Sequence, residues 1–336
     1  MERTLVNDRE QLLRQWLDAV LPAPLTRLAP ASSDASFRRY FRVWSADQTR
    51  IVMDAPPDKE DCRPFIAIAQ ALRGLGLNAP EVLAANLDQG WLLLTDLGSR
   101  QYLAELDAPR APRLYDDALA ALARLQTGGD PDSTLLPPYD AALLYREMEL
   151  FRDWFLGRLL GLELREDEHR ALDQAFALLA GNALEQPRVW VHRDYHSRNL
   201  MITDPDNPGI LDFQDAVVGA VTYDLASLLR DCYIAWPRSQ VETWALDYRG
   251  RLRALGMAGL DDAEQFLRWF DLMGVQRHLK AVGIFARLYL RDGKPGYLGD
   301  IPRTLNYVLE VTGRYAELAD LQRLLLARGV DQWRAA

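Results

Sequence analysis

The sequence predicts an α+β fold with two lobes, a β-rich N-terminal lobe and a mainly α-helical C-terminal lobe. Apolar segments of strand length crowd between residues 36 and 94, whereas the chain beyond residue 98 is mostly helical in pattern. The 336 residues are enough for two sizeable cores. The pattern breaks at Thr95-Asp96-Leu97-Gly98, so we assign residues 1–97 to the first lobe and residues 98–336 to the second.

Periodicity defines the elements of the first lobe. Apolar residues recur at helical spacing from Leu12 to Leu21, which predicts a helix over residues 8–21 that Pro22 ends. Residues 36–44 alternate between two faces and predict a strand. The later elements of this lobe are a strand at 50–55, a helix at 60–74 and a strand at 91–94.

One segment of the second lobe contains the clearest catalytic motif of the chain. It runs from His192 to Asn199 with the spacing H-x-D-x(4)-N, and Asp212-Phe213 follows thirteen residues after Asn199. Phosphoryl transfer needs a carboxylate to hold the attacking hydroxyl and oxygen ligands for magnesium. Asp194 suits the first role, and Asn199 and Asp212 suit the second.

A hairpin is predicted between the two halves of this motif. Residues 188–191 form a strand that enters the loop, and two short apolar runs, 200–202 and 210–211, flank a turn-rich stretch. Antiparallel pairing would place Asn199 opposite Asp212, roughly 5 Å apart, where both can bind one hard cation.

A zinc site is the alternative, because His192, Asp194 and His196 alternate along the chain. The remaining histidines, His169 and His278, are distant in sequence, and no cysteine is near. We therefore favour magnesium.

Composition narrows the classes of partner and location. The net charge of −9 argues against nucleic-acid binding through a basic field. Two cysteines, Cys62 and Cys232, make no disulfide framework and fit a reducing compartment. No apolar run has the length of a membrane span, and the first residues lack an apolar signal core. We expect a cytoplasmic monomer that acts on a small molecule.

On these residues the chain resembles the aminoglycoside-phosphotransferase-like small-molecule kinases. The broad resemblance is carried by three segments, 191–199, 210–213 and 223–226. Longer stretches resemble the anomeric amino-sugar kinases that act on N-acetylmuramate and N-acetylglucosamine. Those stretches are 36–42, 52–57, 212–216, 276–280, 285–287 and 291–298.

The resemblance implies a two-lobed protein-kinase-like fold with ATP and Mg²⁺ as cofactors. The first lobe would bind the nucleotide, and the second would hold the catalytic and substrate-binding residues. The γ-phosphate would pass to the C1 hydroxyl of the amino sugar, in peptidoglycan recycling. Asp194 would orient or deprotonate this hydroxyl, and Asn199 and Asp212 would bind magnesium. His192 and Asp224 would support the catalytic loop, and Thr95 and Leu97 would lie in the hinge that contacts adenine.

The phosphate contacts predicted for the first lobe differ from those of most kinases. The loop Ser33, Asp34, Ala35 and Ser36 has small side chains that let backbone N–H groups approach phosphate oxygens, although a plain surface turn is the alternative. Kinases normally place a strand lysine against the phosphates, yet residues 51–54 contain none. Arg39 and Lys59 are the candidate replacements. Glu60 is either their acidic partner or an ordinary solvated charge.

The sugar pocket is expected in the second lobe. A lactyl carboxylate on the substrate would attract an arginine, for which Arg198, Arg277 and Arg287 are candidates. Asp215 and His278 are candidate hydroxyl partners, and a core histidine is the alternative for His278. Aromatic residues that could cover a pyranose ring are Tyr145, Trp154, Tyr233, Trp236, Tyr289 and Tyr297, although a place in the core is the alternative for most of them.

Two other functions fit the sequence. One is a kinase for an aminoglycoside or a choline-like amine, for which the acidic net charge would suit a cationic substrate. The other is a pseudokinase that binds nucleotide without turnover, as the missing strand lysine could indicate. The presence of Asp194, Asn199 and Asp212 together argues against the second.

Overall fold

The computed structural model describes residues 2–33 and 37–335, and for residues 2–8, 32 and 33 it describes the backbone only. In this part of the chain the strands are β1 Leu25–Ser33, β2 Arg39–Ser45, β3 Gln48–Asp54, β4 Val82–Asn86, β5 Trp91–Thr95, β6 Arg188–Val191, β7 Leu200–Met201, β8 Gly209–Ile210 and β9 Val217–Ala220. The α-helices are α1 Glu2–Val20, α2 Arg63–Gly74, α3 Tyr102–Glu105, α4 Ala111–Gly128, α5 Ala141–Leu150, α6 Glu166–Leu184, α7 Tyr223–Leu229, α8 Arg238–Ala254, α9 Ala263–Asp292, α10 Ile301–Thr312 and α11 Ala319–Ala327. A π-helix, Phe151–Leu159, continues α5.

The chain divides into two compact units. The first contains Met1–Arg100 and Met201–Gln214, and the second contains Gln101–Leu200 and Asp215–Ala336. We predicted a boundary after residue 97 and assigned everything beyond it to the second lobe. The difference is the β7–β8 hairpin, which belongs to the first unit because hydrogen bonds tie it there. Ile210 N donates to Asn78 O at 2.8 Å, and Asn78 Nδ2 donates to Thr203 Oγ1 at 3.1 Å.

The first unit is built on an antiparallel five-stranded sheet with the strand order β1-β2-β3-β5-β4. The apolar stripe that the sequence showed on α1 buries Leu13 and Leu17 against Val43 and Val52 of the sheet. Buried apolar area of this kind is the main source of the unit's stability.

Two strands of this sheet were missed in the sequence, β1 and β4. Strand β1 lies at the edge and pairs only with β2, so it tolerates Pro30, whose missing N–H would break the ladder of an internal strand. The pairing shifts register between Pro30 and Ser32. Of the predicted phosphate loop, Ser33 ends β1, while Asp34, Ala35 and Ser36 lie outside the described residues.

The second unit is mainly helical and is organised around α9. Asp262 caps this helix by accepting hydrogen bonds from Glu264 N at 2.8 Å and Gln265 N at 3.1 Å. Gly283 lets α9 approach the end of α5, because a Cβ there would lie 2.3 Å from Leu150 C. Strand β6, which was predicted, pairs with β9, which was not. No helix among the described residues is long and apolar enough to cross a bilayer.

Candidate active site

The loop that carries Asp194 begins where β6 ends, and its backbone is held by a buried aspartate. Asp224, in the first turn of α7, accepts hydrogen bonds from His192 N at 2.6 Å and from Arg193 N at 3.0 Å. Arg193 has a φ of +77°, so the chain turns sharply here at the cost of backbone strain. The two hydrogen bonds offset that cost and fix the direction in which Asp194 leaves the strand.

A second buried aspartate, Asp231, holds the far side of the loop. Its Oδ2 accepts hydrogen bonds from Ser197 N at 2.9 Å and Ser197 Oγ at 2.6 Å, and its Oδ1 accepts from Tyr233 N at 2.9 Å. Sequence reasoning missed this residue. The available signal was an aspartate two residues after the mostly apolar run 225–229, where a buried carboxylate needs polar partners.

Asp194 itself is half-buried and tied to its neighbours through its backbone. Its N–H donates to His192 Nδ1 at 3.3 Å, and its carbonyl oxygen accepts from Asn199 Nδ2 at 3.0 Å. Burial raises the pKa of the Asp194 carboxyl, but nearby basic side chains outweigh this effect and lower the pKa to about 2. Those neighbours are Lys280, His196, Arg277 and Arg193. Asp194 is therefore ionised at neutral pH and can accept a hydrogen bond from a hydroxyl group.

Behind the loop lies a buried charge network centred on Glu147 of α5. Glu147 forms ion pairs with Arg193 and with Lys280, the latter at 3.1 Å, and accepts a hydrogen bond from Tyr139 Oη. Burial raises the pKa of Glu147, but the two cations lower it more and keep it charged. Sequence reasoning missed Glu147 because nothing local distinguishes it from other helix glutamates.

In the first unit, Asp212 has an unusual backbone and a fixed side chain. Its φ of +64° lies in the left-handed region, which aspartate and asparagine tolerate better than most residues. Its Oδ1 accepts a hydrogen bond from Gln214 Nε2 at 2.8 Å. The next residue, Phe213, is buried against Phe65 of α2 with 4.8 Å between ring centroids. This aromatic contact anchors the segment and sets the direction of the Asp212 carboxylate.

Asn199 in the second unit and Asp212 in the first both carry side-chain oxygen atoms. Among the described residues, no group of three or more His, Cys, Asp or Glu side chains could hold a metal ion. Asn199 donates its amide nitrogen to the loop, so its oxygen is the atom suited to a cation, and Asp212 brings a carboxylate. Amide and carboxylate oxygens are ligands of hard cations such as Mg²⁺. Each of the two residues, within its own unit, therefore has an oxygen donor of the kind that a hard cation prefers.

Comparison with known families identifies the chain. Residues 27–266 match the family model described as "Phosphotransferase enzyme family", abbreviated APH. The chain belongs to this family. The predicted resemblance is thereby confirmed, and the chain is a phosphotransferase.

Individual relatives agree with this assignment. A Pseudomonas aeruginosa protein named N-acetylmuramate/N-acetylglucosamine kinase is 48% identical over 330 residues, which cover 94% of this chain and 96% of that protein. A protein of the same name from Pseudomonas putida is 48% identical over 327 residues, with 94% and 96% covered. The solved structure of spectinomycin phosphotransferase APH(9)-Ia, with ADP and spectinomycin, gives a TM-score of 0.62 at 12% identity and covers 95% of this chain and 98% of that one. The predicted fold class, a β-sheet unit followed by a helical unit in a protein-kinase-like fold, is confirmed.

The residues that we expected on the nucleotide side of the phosphotransferase have partners within their own unit. Arg39 pairs with Asp54, which also accepts from Arg9 Nε at 3.0 Å and Trp91 Nε1 at 3.1 Å. Lys59 lies 3.5 Å from Asp58, with both side chains exposed. Arg39 thus shares the single carboxylate of Asp54 with Arg9, so a net positive charge remains on this group of three residues.

Three further residues of the first unit, Glu60, Thr95 and Leu97, were candidates for a place near the nucleotide. Glu60 is not a solvated charge, because it forms a mostly buried ion pair of 2.9 Å with Arg38. Thr95 Oγ1 accepts from Glu81 N at 2.9 Å, which joins the end of β5 to the segment before β4. Leu97 lies against Gly209 of the hairpin.

The predicted sugar-pocket residues divide into two groups. Arg198 lies with its guanidinium 3.6 Å from the ring centroid of Tyr233, 5.7 Å from that of Tyr297, and 3.7 Å from Asp300. Asp215 has an exposed side chain, and its carbonyl oxygen accepts from Arg193 Nη1 at 3.1 Å. Both residues are placed where a ligand could reach them.

His278, in contrast, is a core residue. It is 1% exposed, its Nε2 lies 2.8 Å from Arg230 O, and its ring stacks on Tyr307. Burial lowers its pKa to about 3, so it is neutral. This geometry argues against the substrate contact that we expected and favours the alternative of a core histidine.

Asp224 should make stability depend on pH. Burial raises its pKa to about 7, although the two backbone N–H donors lower it. Because this pKa lies above that of the unfolded chain, the unfolded chain loses the proton first as pH rises, and the contribution of Asp224 to the free energy of unfolding declines from about pH 4 to about pH 7. Urea unfolding should therefore show a steeper loss of stability between pH 5 and pH 7 in the wild type than in Asp224→Asn. Identical slopes in the two proteins would contradict this assignment.

Proposed function

We propose that this phosphotransferase transfers the γ-phosphate of ATP to the C1 hydroxyl of N-acetylmuramate or N-acetylglucosamine, with magnesium, in peptidoglycan sugar recycling. The observation that carries the proposal is the 48% identity, over 94% of the chain, to two proteins named as kinases of these sugars. An ionised Asp194 on a rigid loop supplies the group that such a reaction needs.

Asp194 acts on the acceptor hydroxyl. Its carboxylate accepts the hydrogen bond of the C1 hydroxyl and aims the oxygen at the γ-phosphorus. As the new oxygen–phosphorus bond forms, the bond from the γ-phosphorus to the bridging oxygen breaks and ADP leaves. The hydroxyl proton moves to the Asp194 carboxylate late in the reaction. A carboxylate of low pKa suffices, because an anomeric hydroxyl is more acidic than an ordinary alcohol.

Residues other than Asp194 would bind magnesium, the nucleotide and the sugar. Asn199 and Asp212 would hold magnesium through oxygen atoms, and the ion, when bound, offsets the negative charge of the phosphates. Thr95 and Leu97 would contact adenine through backbone groups, and the loop of residues 33–36 would approach the phosphates through backbone N–H groups. Arg198 and Asp215 would contact the sugar.

We further propose that the enzyme works as a cytoplasmic monomer. ATP is available in that compartment, and the two cysteines, Cys62 and Cys232, are both free thiols, as a reducing environment favours.

An acceptor panel tests the proposed reaction. We expect magnesium-dependent ADP formation with N-acetylmuramate and N-acetylglucosamine, and none above background with kanamycin or choline. The methyl glycoside of N-acetylglucosamine is the matched control, since its C1 oxygen is blocked while every other hydroxyl remains. Phosphorus NMR of the product should show a C1 phosphate. Turnover of the methyl glycoside, or a C6 phosphate, would refute the anomeric assignment.

A further inference from the structure

Arg277 of α9 is a buried cation with no described carboxylate in ion-pair contact. The residue is 5% exposed, its Nε has no hydrogen-bond partner, and its Nη1 has only Cys232 Sγ at 3.8 Å. Among the side chains that the structure describes, in residues 9–31 and 37–335, no Asp or Glu forms an ion pair with it. The edge formed by Nε and Nη2, which is the edge that binds carboxylates and phosphates in bidentate fashion, is therefore unused by the protein.

Other deeply placed arginines of the second unit behave differently. Arg230 pairs with Glu310 at 2.9 Å, Arg238 pairs with Asp271 at 2.8 Å, and Arg193 pairs with Glu147. A buried guanidinium edge without a hydrogen-bond acceptor is costly, so proteins seldom keep one unless a ligand completes it. The unpaired edge of Arg277 is thus a feature that packing alone does not explain.

The position of Arg277 links it to the reacting group. Its one described polar contact, Cys232, follows Asp231, the residue that holds Ser197 of the catalytic loop. The positive charge of Arg277 also acts on the Asp194 carboxylate and favours its ionised form. An anion bound at Arg277 would therefore lie beside the hydroxyl that Asp194 orients.

The two other candidate arginines are less suited to this role. Arg198 is stacked on Tyr233 and lies 3.7 Å from Asp300, so its guanidinium already has partners within the protein. Arg287 is half-buried, and the charged groups that act on it are Arg291 and Asp292 at the end of α9 rather than the catalytic loop.

We propose that Arg277 is the receptor for an oxyanion of the reacting complex. The anion is either the lactyl carboxylate of an acidic acceptor sugar or the phosphoryl group that is transferred, and both present two oxygens to the free guanidinium edge. The identity of the sugar rests on the proposed function. The anion-binding role does not, because it follows from the burial and the missing partner of Arg277.

The experiment compares two sugars that differ by the lactyl carboxylate. Arg277→Gln, Arg277→Lys and the control Arg268→Gln are assayed with N-acetylmuramate and N-acetylglucosamine, and binding of inorganic phosphate is measured by calorimetry. Arg268 lies on the same helix and pairs at the surface with Glu317 at 3.1 Å, so the control removes an arginine from α9 without touching the loop. Arg277→Lys keeps the charge but not the two-pronged edge, and it is the variant to use if Arg277→Gln does not fold.

A carboxylate receptor predicts a KM for N-acetylmuramate raised by about 30-fold or more, with N-acetylglucosamine changed less than about threefold. A phosphoryl receptor predicts an equal fall in kcat of about 10²-fold for both sugars, together with loss of phosphate binding. The proposal would be overturned if the kinetic constants for both sugars stayed within about twofold of wild type. It would also be overturned if kcat fell equally for both sugars while the variant still bound phosphate. If the wild type phosphorylates neither sugar, the proposed function fails, and phosphate binding by wild type against Arg277→Gln still decides the role of Arg277.

Discussion

Asp194→Asn should lower kcat by about 10³-fold while the Kd for ATP changes less than about threefold. The amide has the shape of the carboxylate but cannot take the proton of the acceptor hydroxyl. The loop should keep its conformation, because the contacts of residue 194 with His192 and Asn199 involve the backbone. Rapid-quench kinetics would measure the chemical step, and fluorescence titration would measure nucleotide binding.

The pH dependence provides an internal check on the same residue. Because the pKa of Asp194 is about 2, the wild-type rate should show no loss from protonation of this carboxylate at pH 5 and above. A variant whose kcat stays within about threefold of wild type would remove Asp194 from the mechanism. Loss of nucleotide binding in parallel with kcat would instead indicate that the substitution disturbs the loop.

Asp212→Asn should lower kcat by about 10²-fold or more and raise the magnesium concentration needed for half-maximal rate. The substitution removes a negative charge from a residue that we propose as a magnesium ligand. Asparagine is the right replacement because it tolerates the left-handed backbone at φ +64°, whereas alanine would add strain. Initial rates over a magnesium series at saturating ATP would measure both effects.

The hairpin offers a matched control for that substitution. Asp206 has the same φ of +64°, but its side chain is exposed, and the described contacts of this residue use its backbone oxygen. Asp206→Asn should therefore leave kcat and the magnesium requirement unchanged. If Asp212→Asn also leaves the magnesium requirement unchanged, Asp212 is not a ligand.

The local parts of this enzyme could be predicted from the sequence. The spacing from His192 to Asn199 identified the loop, and the turn-rich stretch after Met201 identified the hairpin, because both depend on neighbours in the chain. The helical stripe of α1 and the strands after it were also evident, although β1 and β4 were not. Edge strands with proline or small residues bury too little apolar surface to leave a clear pattern.

The electrostatic surroundings of the loop depended on the tertiary structure. Asp231 and Glu147 are ordinary carboxylates in the sequence, and they matter only because folding buries them against Ser197 and Arg193. Arg277 and His278 are adjacent in the chain, yet the first has an unused hydrogen-bonding edge and the second is bonded in the core. Residue types and spacing thus determined which chemistry the chain can perform. Packing between distant segments decided which charges are paired, since burial and the choice of partner exist only once those segments meet.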